Sequence, residues 1–171
     1  LAPWLEKNPQ LQMTLLTREL HELPALLRSG EVDFLVFDEK LDLDQFDCHE
    51  LGMEQSVLVE AQGYAGPALY LDHDEEDQTT LRYLKKWGKP PLPLRRRYLD
   101  DIYGILEGVR LGLGRAVVPL HLLHGEERLR ILNPERKISS PVYLIHYRQP
   151  YFSKLDQLLL KTLQDGCRSF L

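Results

Sequence analysis

The amino-acid sequence predicts an α/β fold, in which strands and helices alternate along the chain. Of the 171 residues, 43% are hydrophobic, which is enough for a chain of this length to bury a core. Apolar residues recur with the period of a strand in some segments and with the period of a helix in others. Residues 32–37 are almost continuously apolar, which is typical of a strand buried on both faces in a parallel sheet.

The N-terminal segment predicts a strand between two helices, followed by a second strand. Residues 1–7 place their apolar side chains on one helical face. Apolar and polar side chains then alternate over residues 11–15, the pattern of a half-buried strand. Pro24 suits the first turn of a helix, and Gly30 suits its end. With the strand at 32–37, this order predicts a right-handed βαβ unit.

The central segment continues the alternation of strand and helix. Strands are predicted over residues 56–59 and 68–71. Thr79 or Thr80 could cap a helix that ends near Trp87, because a threonine hydroxyl can accept a hydrogen bond from a free N–H of the first helical turn.

The C-terminal half contains the clearest helix. A strand over 95–99 is predicted, with its basic side chains facing solvent. Asp100 and Asp101 then favour a helix start through capping and the helix dipole, and Gly112 and Gly114 end that helix. The remaining predicted elements are strands over 116–118, 129–132 and 142–145 and a last helix with its apolar face within 152–163.

Charge and composition exclude several classes of protein. The chain has 21 basic and 26 acidic residues, and a net charge of -5 argues against a nucleic-acid-binding surface on this chain. Two cysteines do not make a disulfide framework, and no apolar run is long enough to span a bilayer. Because the first residue is leucine, we expect a piece of a longer, cytoplasmic protein.

Two segments resemble one protein family. PWLEKNPQLQMTLLTRELHELPALLRSGEVDFLVF resembles the first lobe of the effector-binding domain of LysR-type transcriptional regulators, which are bacterial proteins. EGVRLGLGRAVVP resembles a glycine-containing segment of the same domain, and the order and spacing of both segments fit. The residues that carry the resemblance are Asn8, Pro9, the predicted strand 11–15, Gly30, Val32, Asp33, Gly112, Leu113, Gly114 and Pro119.

The resemblance implies a two-lobed domain that is like a type II periplasmic binding protein. Each lobe would be a mixed sheet flanked by helices, with a ligand cleft between the lobes. Residues 1–58 and 148–171 would form the first lobe, and residues 59–147 the second. We expect the family's first strand to be missing, and its N-terminal winged helix-turn-helix, which binds DNA, to be absent from this chain.

The resemblance also implies which residues contact the effector. In a two-lobed α/β domain, ligands bind where strands end and helices begin, since helix N-termini offer free N–H groups there. Thr17 and Thr79 are also explained as turn or cap residues, and Gly112 as a helix stop. The expected effector contacts are Thr17, Arg18, Glu19, Leu20, Asp38, Asp72, His73, Thr79, Gly112 and Leu113.

The acidic segment 72–77 surrounds His73 and has two explanations. A solvated loop is the favoured one, because the spacing of its carboxylates does not match a calcium loop. If the segment lines the cleft, it favours a cationic or neutral effector over an anionic one.

No other pattern in the sequence predicts catalysis, a cofactor or a metal site. The basic triplet 95–97 is interpreted as a solvated strand edge. Phosphate-binding loops, nucleophile elbows and HExxH zinc motifs are all missing from the sequence. The scattered histidines, which show no paired-ligand spacing, are His21, His49, His121, His124 and His146.

The leading hypothesis is therefore an effector-sensing regulatory domain, not an enzyme. Binding of a small molecule of unknown identity would change the arrangement of the lobes, and the missing winged helix-turn-helix would report it. The resemblance implies a homodimer or tetramer, with Trp4 as a candidate contact whose alternative role is core packing. It also implies that DNA binds only through the missing domain, that RNA polymerase is a further partner, and that the protein does not contact a membrane. The alternative is a periplasmic solute-binding receptor of a transporter. An enzyme ranks third, because no catalytic pair can be assembled.

Overall fold

A computed structural model describes residues 1–88 and 90–167 of the chain. Its elements, in chain order, are α1 Ala2–Glu6, α2 Leu23–Ser29, β1 Leu35–Phe37, β2 Phe46–Ala61, β3 Leu69–Asp72, α3 Thr79–Trp87, β4 Arg95–Tyr98, α4 Ile102–Arg110, β5 Ala116–Pro119, a 3-10 turn Leu120–Leu123, β6 Leu129–Leu132, β7 Ile138–Tyr147 and α5 Lys154–Cys167. The mixed α/β class predicted from the sequence is confirmed. Within the described part of the chain, none of the helices combines the length and apolarity needed to cross a membrane.

The chain divides into two units. Unit 1 contains Leu1–Glu54 and the chain from Ser140 onward, and unit 2 contains Gln55–Ser139. The long strands β2 and β7 each contribute residues to both units.

Unit 1 is built on an antiparallel strand pair. β1 pairs with β7, so that Leu35 lies opposite Ile145 and Phe37 opposite Tyr143. A hydrophobic core packs on this strand pair and includes the apolar face of α2. Its buried members are Leu27, Leu35, Phe46, Tyr143 and Ile145.

Unit 2 has a core on each face of β2. β2 pairs antiparallel with β5 and with β6, and β3 pairs in parallel with β4. Because successive side chains of a strand point to opposite faces, Val57 and Val59 join one core and Leu58 joins another. The first core also contains Leu69, Leu71, Ile105, Leu106, Val109, Ala116, Val118 and Leu129, and the second contains Tyr70, Tyr83, Val117 and Ile138.

Helix α4 begins and ends where the sequence predicts. The carboxylate of Asp101 accepts hydrogen bonds from the backbone N–H groups of Tyr103 and Gly104, at 2.8 and 2.9 Å, so Asp101 is the cap. Gly112 follows the helix with a φ of 72°, a conformation that glycine adopts without steric cost.

The strand predicted over residues 11–15 is wrong. These residues form neither strand nor helix, and Leu15 is 81% exposed. A strand exists only where a neighbouring strand pairs with it, and within the described chain nothing pairs with this segment. The predicted βαβ unit is therefore not formed, and β1, shorter than the apolar run 32–37, pairs antiparallel with β7 instead.

Three other details differ from the prediction. β2 is longer than the predicted strand 56–59 and begins at Phe46. The added first part of β2 contains several polar residues, so the apolar pattern does not reveal it. The N-cap of α3 is Gln78, since the hydroxyl of Thr80 donates to Asp72 instead of capping the helix. On α5, Leu155 and Leu158 are 46% and 45% exposed, so the expected apolar face is only partly covered.

Candidate functional site

Asp72 is the last residue of β3, and its carboxylate oxygens are hydrogen-bonded to two side chains of unit 2. The carboxylate accepts hydrogen bonds of 2.5 Å from the Thr80 hydroxyl and from Nε of Arg96. Only 2% of Asp72 is exposed. Burial raises the pKa of Asp72 and outweighs the opposing effects of Thr80 and Arg96. As an effector contact, Asp72 stays a prediction; in this structure its carboxylate holds β3 to α3 and β4.

Arg96 ties the acidic loop to β4. Besides pairing with Asp72, its guanidinium donates to the carbonyl oxygens of Asp74 and Glu75, both at 3.2 Å, and of Asp77, at 2.5 Å. The Arg96 side chain is 11% exposed, so the interpretation of the basic triplet as a solvated edge is wrong at this residue. Strand alternation turns Arg96 to the face opposite that of its two neighbours.

Asp77 closes the loop at the start of α3. Its carboxylate accepts hydrogen bonds from the backbone N–H groups of Thr79, at 2.8 Å, and His73, at 3.2 Å. Burial would raise the pKa of Asp77, but these hydrogen bonds outweigh burial and lower it. The ring nitrogen Nδ1 of His73 lies 3.3 Å from the carbonyl of Asp100. The loop that contains His73 and Thr79 is thus held in one conformation by its own side chains.

The turn after α4 presents an exposed backbone. Gly112 and Leu113 are exposed, and the N–H of Leu113 donates to the carbonyl of Gly108. Arg97 donates to the carbonyl of Leu113 at 3.0 Å, which connects this turn to β4.

The expected contacts in unit 1 lie in exposed or half-exposed segments. Residues 17–20 are exposed, and Asp38 is half-buried. The Arg18 guanidinium donates to the carbonyl of Thr17 at 2.9 Å, and the N–H of Glu19 donates to the carboxylate of Glu22 at 3.3 Å. Leu20 is 55% exposed.

Trp4 belongs to α1 and is half-buried in unit 1. Its indole N–H is buried, with no hydrogen-bond partner among residues 1–88 and 90–167. Its role as a dimer contact stays a prediction.

Sequence reasoning missed the residues that organise the acidic loop, and it missed one histidine pair. Arg96, Asp77 and Thr80 are the loop's organisers, and the two-residue period of β4 is the signal that could have found Arg96. The sequence shows no paired-ligand spacing for His49 and His146, but their Nε2 atoms lie 3.0 Å apart in unit 1. In the described part of the chain, no three residues among histidines, cysteines and carboxylates are grouped to hold a metal ion.

Comparison with protein families gives a match over almost the whole chain. The LysR substrate binding domain matches residues 1–168. Among curated proteins, none matches the chain. The family match favours the predicted regulatory domain over the alternative of a solute-binding receptor.

Solved structures share the fold. LysG from Corynebacterium glutamicum with bound effector Arg superimposes with a TM-score of 0.79 at 19% identity, covering 99% of this chain and 63% of that one. The regulatory domain of CcmR from Synechocystis PCC6803, in complex with 2-PG, gives 0.76 at 16% identity, covering 98% and 88%. ArgP from Mycobacterium tuberculosis gives 0.76 at 16% identity, covering 94% and 61%. At these identities the likeness shows the fold alone, and the chain spans less than two thirds of full-length LysG.

Proposed function

The chain belongs to the LysR substrate-binding domain family, and from this premise we propose that it is the effector-sensing part of a DNA-binding transcription regulator. The match of the family over residues 1–168 is the observation that carries the proposal. A small molecule would bind this domain and favour one of its conformations. A winged helix-turn-helix outside this chain would convert that preference into a change in DNA binding, because a ligand shifts an equilibrium through its different affinities for two states.

The proposed effector contacts are given for each unit separately. In unit 1 they are the exposed turn 17–20 and Asp38, and in unit 2 they are His73, Thr79 and the turn at Gly112 and Leu113. Exposed backbone at strand and helix ends supports this choice, since such backbone can hydrogen-bond a ligand. Asp72 would act mainly by fixing the loop that carries His73, because its own carboxylate is already bonded to Thr80 and Arg96.

The charge of the acidic loop supports a cationic or neutral effector. Its five carboxylates belong to Asp72, Asp74, Glu75, Glu76 and Asp77, and Arg96 pairs directly with the first of these. The exposed members, Asp74, Glu75 and Glu76, leave a negative surface that attracts cations. Arginine, the effector bound in the LysG structure, carries such a cationic group.

A thermal-shift experiment tests the effector's charge. Agmatine and putrescine serve as cationic probes, and succinate and citrate as anionic ones. We expect the amines to raise the melting temperature, because a ligand that binds only the folded state stabilises it. Glu76→Gln should reduce that rise, whereas Glu127→Gln, at an exposed position of unit 2 outside the loop, should not. Stabilisation by the carboxylates and not by the amines would contradict this part of the proposal.

We further propose that the chain assembles as a homodimer or tetramer, that the full protein works in the cytoplasm, and that RNA polymerase is a further partner. Trp4 is the proposed dimer anchor, because a partly buried indole is the kind of side chain that dominates interfaces. Sedimentation equilibrium of Trp4→Ala should show a weaker dimer, with Leu92→Ala, at a residue that is 94% exposed, as the control. An unchanged dimer in Trp4→Ala that keeps its circular dichroism would contradict the assignment.

A further inference from the structure

Two histidines from strands β2 and β7 meet in unit 1, although they are 97 positions apart in the sequence. Their Nε2 atoms lie 3.0 Å apart, and their rings stack with centroids separated by 5.1 Å. His146 is 3% exposed, and Phe152 stacks on it with a centroid distance of 4.5 Å. Both imidazoles are therefore held in position by strands and by aromatic packing.

The hydrogen bonds define the proton positions of the pair. Nδ1 of His146 lies 2.8 Å from the carbonyl oxygen of Tyr147, and a carbonyl only accepts, so Nδ1 carries the proton. In neutral His146 the Nε2 atom is then an unprotonated acceptor, and it faces Nε2 of His49. Metal-binding histidines are commonly oriented in this way, with one ring N–H on a carbonyl and the other nitrogen free to coordinate.

The pair opens into a cavity of about 250 Å³. This volume is below the roughly 300–1,000 Å³ of pockets that hold small organic ligands, and it suits an ion with its water molecules. Asp47, Gln149 and Gln157 line the same cavity and supply oxygen atoms, whereas Lys161 is a cationic member of the lining. Asp47 is the acidic member of the lining, and its carboxylate also pairs with Nε of Arg148 at 3.1 Å.

We propose that His49 and His146 form a site for a divalent transition-metal ion, with Zn²⁺ as the representative case. A tetrahedral ion with Zn–N bonds of about 2.0–2.1 Å separates two ligand nitrogens by about 3.3 Å. The two Nε2 atoms therefore have to move apart by about 0.3 Å, and the rings have to turn so that both nitrogen lone pairs point at the ion. The ion replaces the proton of His49 Nε2, and that proton moves to Nδ1 of the same ring, so that both rings stay neutral. Water or the oxygen atoms of the cavity complete the coordination.

Isothermal titration calorimetry of the chain with ZnCl₂ tests the site. We expect one equivalent to bind, and His49→Asn to weaken binding at least about tenfold, because loss of even a residue that only orients a metal ligand typically costs about 10–100-fold in affinity. His21→Asn, at an exposed histidine of the same unit, is the matched control and should bind as the parent chain does. Because His49 is only half-buried, His49→Asn is expected to fold, and circular dichroism checks this.

A spectroscopic measurement separates coordination by these rings from binding elsewhere. Co²⁺ in a tetrahedral site with nitrogen ligands gives visible d–d bands, which we expect for the parent chain and for His21→Asn but not for His49→Asn or His146→Gln. Zn²⁺ binding that is unchanged in His49→Asn would overturn the proposal. Binding of inorganic phosphate through Lys161, without binding of Zn²⁺ up to about 1 mM, would also overturn it.

Discussion

Glu60 is the most deeply buried charge in unit 2, and its replacement by glutamine gives a sharp test of how that unit is held together. Glu60 lies on β2 and is fully buried. Its carboxylate accepts hydrogen bonds of 2.7 Å from Nε of Arg115 and from Nε of Arg130, and Arg130 adds a second contact through Nη2. Glutamine keeps one acceptor oxygen, but it removes the negative charge and turns an amide NH₂ toward a guanidinium.

The expected loss of stability follows from this geometry. A hydrogen bond to a charged group contributes about 1.5–3 kcal/mol, and breaking a buried ion pair costs about 3–5 kcal/mol. The side chains of Arg115 and Arg130 are 27% and 49% exposed, so both can regain water when the carboxylate is lost. We therefore expect Glu60→Gln to lower the free energy of unfolding of unit 2 by about 3 kcal/mol, the lower end of that range.

Amide hydrogen exchange is the suitable assay, because a chain with two units need not unfold in one step. The slowest amides of β2, β5 and β6 report the opening of unit 2, and their free energies should fall by the predicted amount in Glu60→Gln. Glu127→Gln makes the same chemical change at an exposed position and should alter them by less than about 0.5 kcal/mol. A change in Glu60→Gln as small as in this control would refute the reasoning.

Three further predictions concern other parts of the structure. Arg96→Ala leaves its buried carboxylate partner without a cation and should lower the opening free energies of the slowest amides of β3 and β4, measured by hydrogen exchange, by about 3 kcal/mol. Arg95→Ala, at the exposed neighbour, should change them little, and equal effects would contradict the role of Arg96. Asp101→Ala removes the cap of α4 and should cost about 1 kcal/mol, measured by thermal denaturation, and an unchanged melting temperature would show that the cap contributes nothing. Burial, followed by the neighbouring imidazole, lowers the pKa of His49 below 6.5, so the unfolded chain binds more protons than the folded chain as the pH falls below that value. Stability should therefore decrease between pH 7.5 and 5.5, less steeply in His49→Asn than in the control His21→Asn; identical slopes would contradict the assignment.

The sequence predicts best the elements that depend on local signals. Helix α4 has its cap, its apolar spacing and its terminating glycine within about a dozen residues, so both of its ends can be predicted from the local sequence. The segment 11–15 has the alternation of a strand, but a strand also needs a partner, and partners are set by distant parts of the chain. The apolar alternation over residues 11–15 is therefore real, but the strand that it predicts does not form.

The candidate sites show the same limit. In the sequence Arg96 looks like either of its neighbours, and its buried position depends on the parallel register of β3 with β4, which brings it to the face that carries Asp72. The contact between His49 and His146 depends in the same way on how β2 and β7 lie beside each other. Residue types and spacing cannot supply such a register, whereas the family resemblance supplies the fold.

The central claim, that this domain senses a small molecule through the proposed contacts, is tested most directly by hydrogen exchange with and without ligand. The probe is whichever amine raises the melting temperature most, agmatine or putrescine. We expect slower exchange in the turn 17–20 of unit 1 and also around His73 and Gly112 of unit 2, because a ligand that orders these segments makes their amides open less often. Unchanged exchange at all of these turns would contradict the claim.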